Sequence, residues 1–439
     1  MSTQTTRRGI VAATLAGLPG TSALALAACG PGVGTGGPGT PPTAAARPAV
    51  TMEYWSRWPG PEHTEVENKR IAEFNAMAAP ARFERVGLVG NYIDKLNAAF
   101  AAGTGPDVYT VGGTGIPNFS AKGAALTVGG YAAVQKELAD FFPATIEAMK
   151  YQGKINGLPY IVDVRAMVYR KDLFQDVGLD PIRFPETWEA FREAAKRLAK
   201  WQGTSLERAG FDVPKSGWPL HDLFLSLHSA SGEEPYTPDI RPNFTGGTGR
   251  QVLQLLVDLL NRDRVDAYER PRPPQNVSAL GAGIVASQWD SAGPVNAIRR
   301  GSPEVIGQVG VAPIPRLKER KTYLGGTWLM AFSRPKHPDT AVDLMLYLTA
   351  AKHADEINSI SNSVPPRKSA ANSPYVQEPL IKPFYDAVGH GWSVPNHPLY
   401  TEARDAIVEH LTAAMKLEKG VLAALEDAAR AASEFLSRK

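Results

Sequence analysis

Between residues 50 and 112 the chain alternates short strand patterns with amphipathic helix patterns, and this alternation restricts it to layered α/β architectures. Val50-Thr51-Met52-Glu53-Tyr54 alternates apolar and polar side chains, the period of a half-buried strand. Val66, Arg70, Phe74 and Met77 then track along one helix over residues 63–78. Phe83-Glu84-Arg85-Val86 reads as a weaker strand, and Ile93, Leu96 and Phe100 mark a second helix. Val108-Tyr109-Thr110-Val111 is a strand again, ended by Gly112-Gly113. Strands separated by helices predict α/β layers with parallel strands. Later segments follow the same logic. Pro185 is placed to start a helix over 186–200 with Trp188, Phe191, Ala195 and Leu198 on one face. Residues 250–260 are apolar enough for a buried helix, and 338–350 carries Ala341, Leu344, Met345 and Leu348. Residues 401–437 read as two helices split at Lys419-Gly420, a natural C-cap.

The N-terminal end reads as an address. Arg7-Arg8 precedes an apolar stretch that closes on Leu26-Ala27-Ala28-Cys29, with the chain's one cysteine last. Basic residues, an apolar run and small residues before a cut site are the grammar of an export signal. Cysteine directly after the small pair reads as a lipobox, in which the thiol is acylated and becomes the new N-terminus. Residues 1–28 are therefore expected to be a lipoprotein signal peptide, with Cys29 the lipidation site. The twin arginine resembles a Tat signal, with a Sec lipoprotein signal as the alternative. Residues 29–49 are rich in Gly, Pro, Thr and Ala, a composition that cannot bury enough surface to offset its ordering entropy. They are expected to form a flexible linker.

Composition narrows the function classes. Loss of Arg7 and Arg8 would lower the formal net charge by two from +3, leaving no field for nucleic acid or anionic lipid. With Cys29 committed to lipid, the mature chain has neither disulfide nor thiol chemistry. No second apolar run approaches the roughly 18 residues of a membrane span. The sequence lacks Gly-x-Ser-x-Gly, His-Glu-x-x-His and P-loop strings. His221 and His228 lie seven apart on one face of a helix, but no third ligand is in view, so no metal and no cofactor are expected.

Four segments occur in a recognisable order. The first is Asn91-Tyr92-Ile93-Asp94-Lys95-Leu96-Asn97 followed by Gly103-Thr104-Gly105-Pro106-Asp107-Val108. The second is Gly153-Lys154-Ile155-Asn156-Gly157-Leu158-Pro159-Tyr160, running into Asp163-Val164-Arg165 and Tyr169-Arg170-Lys171-Asp172-Leu173-Phe174. Gly325-Gly326 with Ala331-Phe332-Ser333 and then Val364-Pro365-Pro366-Arg367 complete the set. Together they resemble the extracellular solute-binding protein family 1, the sugar-capturing subunits of ABC importers. The resemblance covers nearly all of residues 50–437. It implies a two-lobed periplasmic-binding-protein-like fold of type II, hinge-connected lobes with the ligand cleft between them. The first lobe would be 50–162 plus 323–366 and the second 163–322 plus 367–439. It further implies a monomer that delivers its solute to permease subunits.

A neutral sugar needs fixed donors and acceptors for its hydroxyls and an aromatic plate for its C–H faces. Of the eight tryptophans, Trp188 and Trp201 lie on or at the end of a helix and read as packing. Trp55, Trp58, Trp218, Trp289, Trp328 and Trp392 lie in loops or at strand ends, where a large ring is costly to expose without a task. Roughly three of these six are expected to line the cleft. Trp289, in Gln288-Trp289-Asp290, is the strongest. The resemblance makes Asp163 a hinge carboxylate that accepts bonds from sugar hydroxyls, or else the partner of Arg165 in a hinge ion pair. Asp107 either caps its turn or touches solute. Thr114 stands where some relatives hold a carboxylate. Gly325-Gly326 would let the backbone approach the solute. Arg367 would fork onto solute groups or bind the hinge backbone. Two rivals stand beside sugar capture for an importer: a secreted glycosidase-like enzyme, and a binding protein that feeds a sensor.

Overall fold

The computed structural model describes residues 50–77 and 81–438. The expected signal peptide, the linker and Cys29 lie outside the described residues. The described chain falls in one compact unit, Ala49–Lys439.

The 50–112 alternation forms as the periodicity predicts. Strand Val50–Ser56 pairs in parallel with Ala81–Gly87 on one side and Val108–Gly112 on the other. Helix Pro61–Ala76 connects Val50–Ser56 to Ala81–Gly87, and helix Tyr92–Ala101 carries the chain from Ala81–Gly87 across to Val108–Gly112. A fourth strand, Thr322–Ala331, arrives from far along the chain and runs antiparallel to Val108–Gly112. It also pairs with Leu158–Val164 and, at its start, with Gly391–Trp392. Six strands therefore make one mixed sheet.

A second sheet has three strands, with Ala166–Arg170 flanked by Ser287–Asp290 and Val309–Ala312. The chain passes from the first sheet to the second at a single residue, Arg165, between strands Leu158–Val164 and Ala166–Arg170. Apolar side chains bury the strands on either side of this passage. Val162, Val164, Ala166 and Val168 are each at most 2% exposed and belong to one cluster that runs along both strands.

Around the second sheet, helices Trp188–Leu198, Gly217–Ala230 and Gly247–Asn261 pack with the C-terminal pair Tyr400–Met415 and Val421–Leu436. Their apolar faces form the largest cluster, from Trp188 and Phe224 to Leu425.

Two local expectations change. Gly420 is no C-cap: its φ of −67° is ordinary, and it precedes helix Val421–Leu436 as the N-cap. The left-handed residue that turns the chain is Leu417, at φ 61°. Trp201 does not end a helix. It lies in strand Lys200–Gln202, where Arg264 covers its ring with the guanidinium carbon 3.9 Å from the centroid.

Candidate functional site

The Val108–Gly112 strand ends at a loop that borders a cavity of about 770 Å³. This cavity lies where the first sheet, the Arg165 passage and helices Gly217–Ala230 and Tyr400–Met415 meet. Three guanidinium groups, from Arg57, Arg165 and Arg404, face three carboxyl groups, from Asp163, Asp222 and Glu402. Such a lining is polar but electrically balanced.

Each wall is held by its own local chemistry. Asn91 caps helix Tyr92–Ala101, its Oδ1 accepting from Ile93 N at 3.2 Å and Asp94 N at 3.4 Å. This fixes Tyr92 in the first turn, facing the cavity. Arg57 leaves the first strand with its backbone N–H on Thr110 Oγ1 at 2.8 Å and its Nη1 on Thr327 Oγ1 at 3.3 Å. Its guanidinium carbon stands 5.0 Å from the Tyr92 ring centroid. A Cβ at Gly112 would come within 2.7 Å of that Nη1, so glycine leaves the space the guanidinium occupies. On the opposite wall, Trp218 is 51% exposed, and Arg404 lies against its ring at 3.5 Å. The Trp218 indole N–H donates to Asp405 Oδ1 at 3.0 Å.

Asp163 and Arg165 occupy the floor. Arg165 pairs with Asp290 and, at 3.4 Å, with Asp163 Oδ2. Asp163 Oδ1 is buried with no partner among the described residues. The side chain as a whole is 38% accessible, but Oδ1 is enclosed in the cavity floor. That enclosure pushes the Asp163 carboxyl above the usual carboxylate range; Arg165 opposes the shift, and Asp290 and Asp222 add to it. For Arg165, burial works against the charge, but Asp163 and Asp290 outweigh it and raise the pKa.

Of the residues singled out from sequence, Thr114, Asp163, Arg165, Trp218 and Gly326 line this cavity together. Trp289 and Asp290 line a neighbouring cavity of about 300 Å³ that shares Pro219 with it. Trp289 is 6% exposed and donates to Thr322 Oγ1 at 3.1 Å, so most of its ring is packed. The remaining residues stand apart from both cavities. Trp55 donates to Glu53, and Trp58 stacks on His63 at 4.9 Å. Trp328 is buried and donates to Gly113 O at 3.3 Å, which supports the cavity loop from behind. Trp392 is buried and donates to Glu234.

Asp107 accepts from Glu53 N at 2.9 Å and Lys336 N at 2.8 Å, so both oxygens serve the backbone. Arg367 is 3% exposed, with donors on Thr349 O, Glu137 and Asp140. Gly325 and Gly326 are required by strand packing. A Cβ at Gly325 would fall 2.4 Å from Tyr323 Oη, and one at Gly326 would fall 2.1 Å from Ile161 O.

Sequence reasoning passed over Arg57, Tyr92, Asp222, Tyr323, Glu402 and Arg404. Tyr92 stood inside a quoted segment. Asp222 and Arg404 left a weaker signal, as charges on the apolar faces of helices.

A second cavity, of about 850 Å³, is larger but poorer chemically. It shares only Pro398 with the first, and its Asp239 and Arg241 pair with each other at 2.8 Å. The balanced charge set and the exposed indole mark the 770 Å³ cavity as the candidate site.

A sequence profile of the bacterial extracellular solute-binding proteins matches residues 72–355. The arabinooligosaccharide-binding protein of Halalkalibacterium halodurans is 24% identical over 296 residues, 65% of this chain and 64% of that protein. The mannitol-binding protein of Pseudomonas aeruginosa is 26% identical over 234 residues, 52% of this chain and 51% of that one. The match thus spans between half and two thirds of the length of these relatives and of the arabinooligosaccharide-binding protein of Bacillus subtilis. Among solved structures, the sugar-binding protein MalE of Xanthomonas citri aligns with a TM-score of 0.78 at 22% identity, covering 88% of this chain and 98% of that one. The cyclic alpha-maltosyl-1,6-maltose binding protein of Arthrobacter globiformis gives 0.76 at 22% identity, covering 88% and 99%. The fold is the two-lobed, type II periplasmic-binding-protein fold, with hinge-connected lobes. The chain belongs to the bacterial extracellular solute-binding protein family.

Proposed function

We propose that this protein captures a sugar or short oligosaccharide in the 770 Å³ cavity and hands it to an ABC importer. The observation that carries the reading is the cavity lining itself. An exposed Trp218 ring offers a plate for C–H faces, while Asp163, Asp222, Arg57 and Arg404 offer acceptors and donors in balanced charge. A neutral polyol suits that balance, since each of its hydroxyls both donates and accepts. The named relatives, an arabinooligosaccharide-binding and a mannitol-binding protein, support the same ligand class.

In this reading the lobes are 50–162 plus 323–366 and 163–322 plus 367–439, and solute closes them by rotation near Arg165. Cys29 carries the lipid that holds the monomeric protein at the outer face of the membrane, close to its permease. The chain performs no chemistry on the solute.

A thermal-shift screen of mono- and oligosaccharides tests the proposal. A binder at about 100 times its dissociation constant adds about 2.7 kcal/mol and raises the midpoint. The same sugar should return unaltered after long incubation. Turnover of the sugar, or no response across the panel, would overturn the reading.

A further inference from the structure

Asp222 is 5% exposed and lines the cavity from helix Gly217–Ala230. Behind it stands a file of buried polar groups that the cavity description leaves unused. Asp222 Oδ1 is 2.8 Å from His221 Nδ1. His221 Nε2 is 3.2 Å from the Tyr400 hydroxyl, and that hydroxyl is 3.0 Å from the Tyr236 hydroxyl. His221 and Tyr400 have no exposed surface.

Chemistry sets the direction of every bond in this file. An ionised carboxylate only accepts, so His221 Nδ1 carries the proton and donates to Asp222. Burial holds the His221 pKa below its ordinary value and keeps the imidazole neutral, which leaves Nε2 as an acceptor. Tyr400 must then donate to His221, and Tyr236 must donate to Tyr400. All three protons point toward the carboxylate. Its other oxygen, Oδ2, bonds nothing among the described residues.

Arg404 faces the same cavity, 5% exposed, and forms no ion pair among the described residues. Its Nε is buried without a partner. An oriented acceptor and an unpaired donor therefore share one wall. A sugar in the cavity can donate a hydroxyl to the carboxylate, and the Arg404 guanidinium supplies donors on the same wall. The negative charge of Asp222 also disfavours ionisation of Asp163.

We propose that Asp222 is a specificity-determining residue that reads one hydroxyl of the bound saccharide, with His221, Tyr400 and Tyr236 as positioning residues. The proposal rests on the sugar-capture reading above.

The test passes digests of arabinan, starch and mannan over the immobilised protein and identifies the retained sugar by mass spectrometry. Its affinity and that of its monodeoxy analogues are then measured by calorimetry. Asp222→Asn should weaken the retained sugar about 10- to 100-fold, and Tyr400→Phe about 2- to 10-fold. One monodeoxy analogue should bind wild type poorly yet bind Asp222→Asn as well as the parent sugar does, which a purely structural role would not produce. Nitrogen NMR of His221 should show the Nδ1–H tautomer without any ligand. Unchanged affinity in Asp222→Asn, or an Nε2–H tautomer, would overturn this assignment and leave sugar capture standing. Retention of nothing from the digests would sink sugar capture and this assignment together.

Discussion

The Thr401 hydroxyl donates to Thr114 Oγ1 at 3.2 Å, joining helix Tyr400–Met415 to the loop after strand Val108–Gly112. Both residues line the cavity, so this bond closes part of its rim. Replacing Thr401 by Val keeps the shape and removes the bond. Affinity for the captured sugar should fall about 2- to 10-fold, the worth of one neutral hydrogen bond, with most of the change in the dissociation rate. Stopped-flow fluorescence would read it; an unaltered off-rate would mean the bond does not hold the rim closed.

Trp218 and Trp289 should respond in opposite ways to truncation. Trp218 is half exposed against the cavity, so Trp218→Ala should cost binding at least about 10-fold while moving the melting midpoint little. Trp289 is nearly enclosed and bonded to Thr322, so Trp289→Ala should destabilise the fold by about 3–5 kcal/mol. Calorimetry and chemical denaturation on the same two variants separate the effects.

Asp163 should show a conflict between stability and function. Its carboxyl pKa is raised by enclosure, so the folded state holds a proton that the unfolded chain has already released. Stability contributed by this group is therefore present at acid pH and lost as pH climbs from the ordinary carboxylate pKa through the raised one. At neutral pH the ionised group opposes folding. Asp163→Asn should leave the melting midpoint of the free protein unchanged or higher at pH 7, while weakening sugar binding about 10-fold or more. A midpoint that drops sharply would show that the Arg165 pair outweighs the enclosure.

His353 should make the fold sensitive to acid. Its ring lies tilted against that of Tyr347, with centroids 4.4 Å apart, and both ring nitrogens are buried without partners among the described residues. Burial, then Arg70 and Lys352, lower its pKa to about 4. The unfolded chain takes up a proton first, so stability is complete above pH ~6.5 and erodes as pH falls from there toward 4. His353→Phe should flatten that part of the stability profile, as followed by circular dichroism.

The lipid anchor is tested apart from the cavity. Cys29→Ala should release the protein from membranes in cell fractionation and leave sugar affinity intact.

Periodicity made the fold legible because each element announces itself within a few residues. The alternation in Val50–Ser56 and the helix after it need no distant partner to be read, although the helix buries Glu67, Ile71 and Phe74 and leaves Met77 of the expected face exposed. The resemblance put 323–366 in one lobe with 50–162, but the pairing of Thr322–Ala331 with Val108–Gly112 lay beyond it, since nothing local marks a contact more than 200 residues away. The cavity was less legible for a related reason. Trp289 and Trp218 look alike as loop-side aromatics, and only the three-dimensional neighbours bury one and expose the other. Asp222 and Arg404 read as oddities on apolar helix faces, because the cavity they border forms only where their two helices meet. Gly420 and Leu417 make the same point on a small scale. Composition favoured glycine for the reversed backbone, and tight connection of two packed helices placed it on leucine instead.

The chain changes sheets at Arg165 with no intervening loop, and Arg165 is also a charged contact of the cavity floor. In the proposed closure, fulcrum and sensor would be one residue. A slight rotation about its backbone, too small to disturb the strands on either side, is magnified with distance into a wide swing at the rim. Any solute that reorders the charges around this guanidinium pushes at the shortest end of that lever.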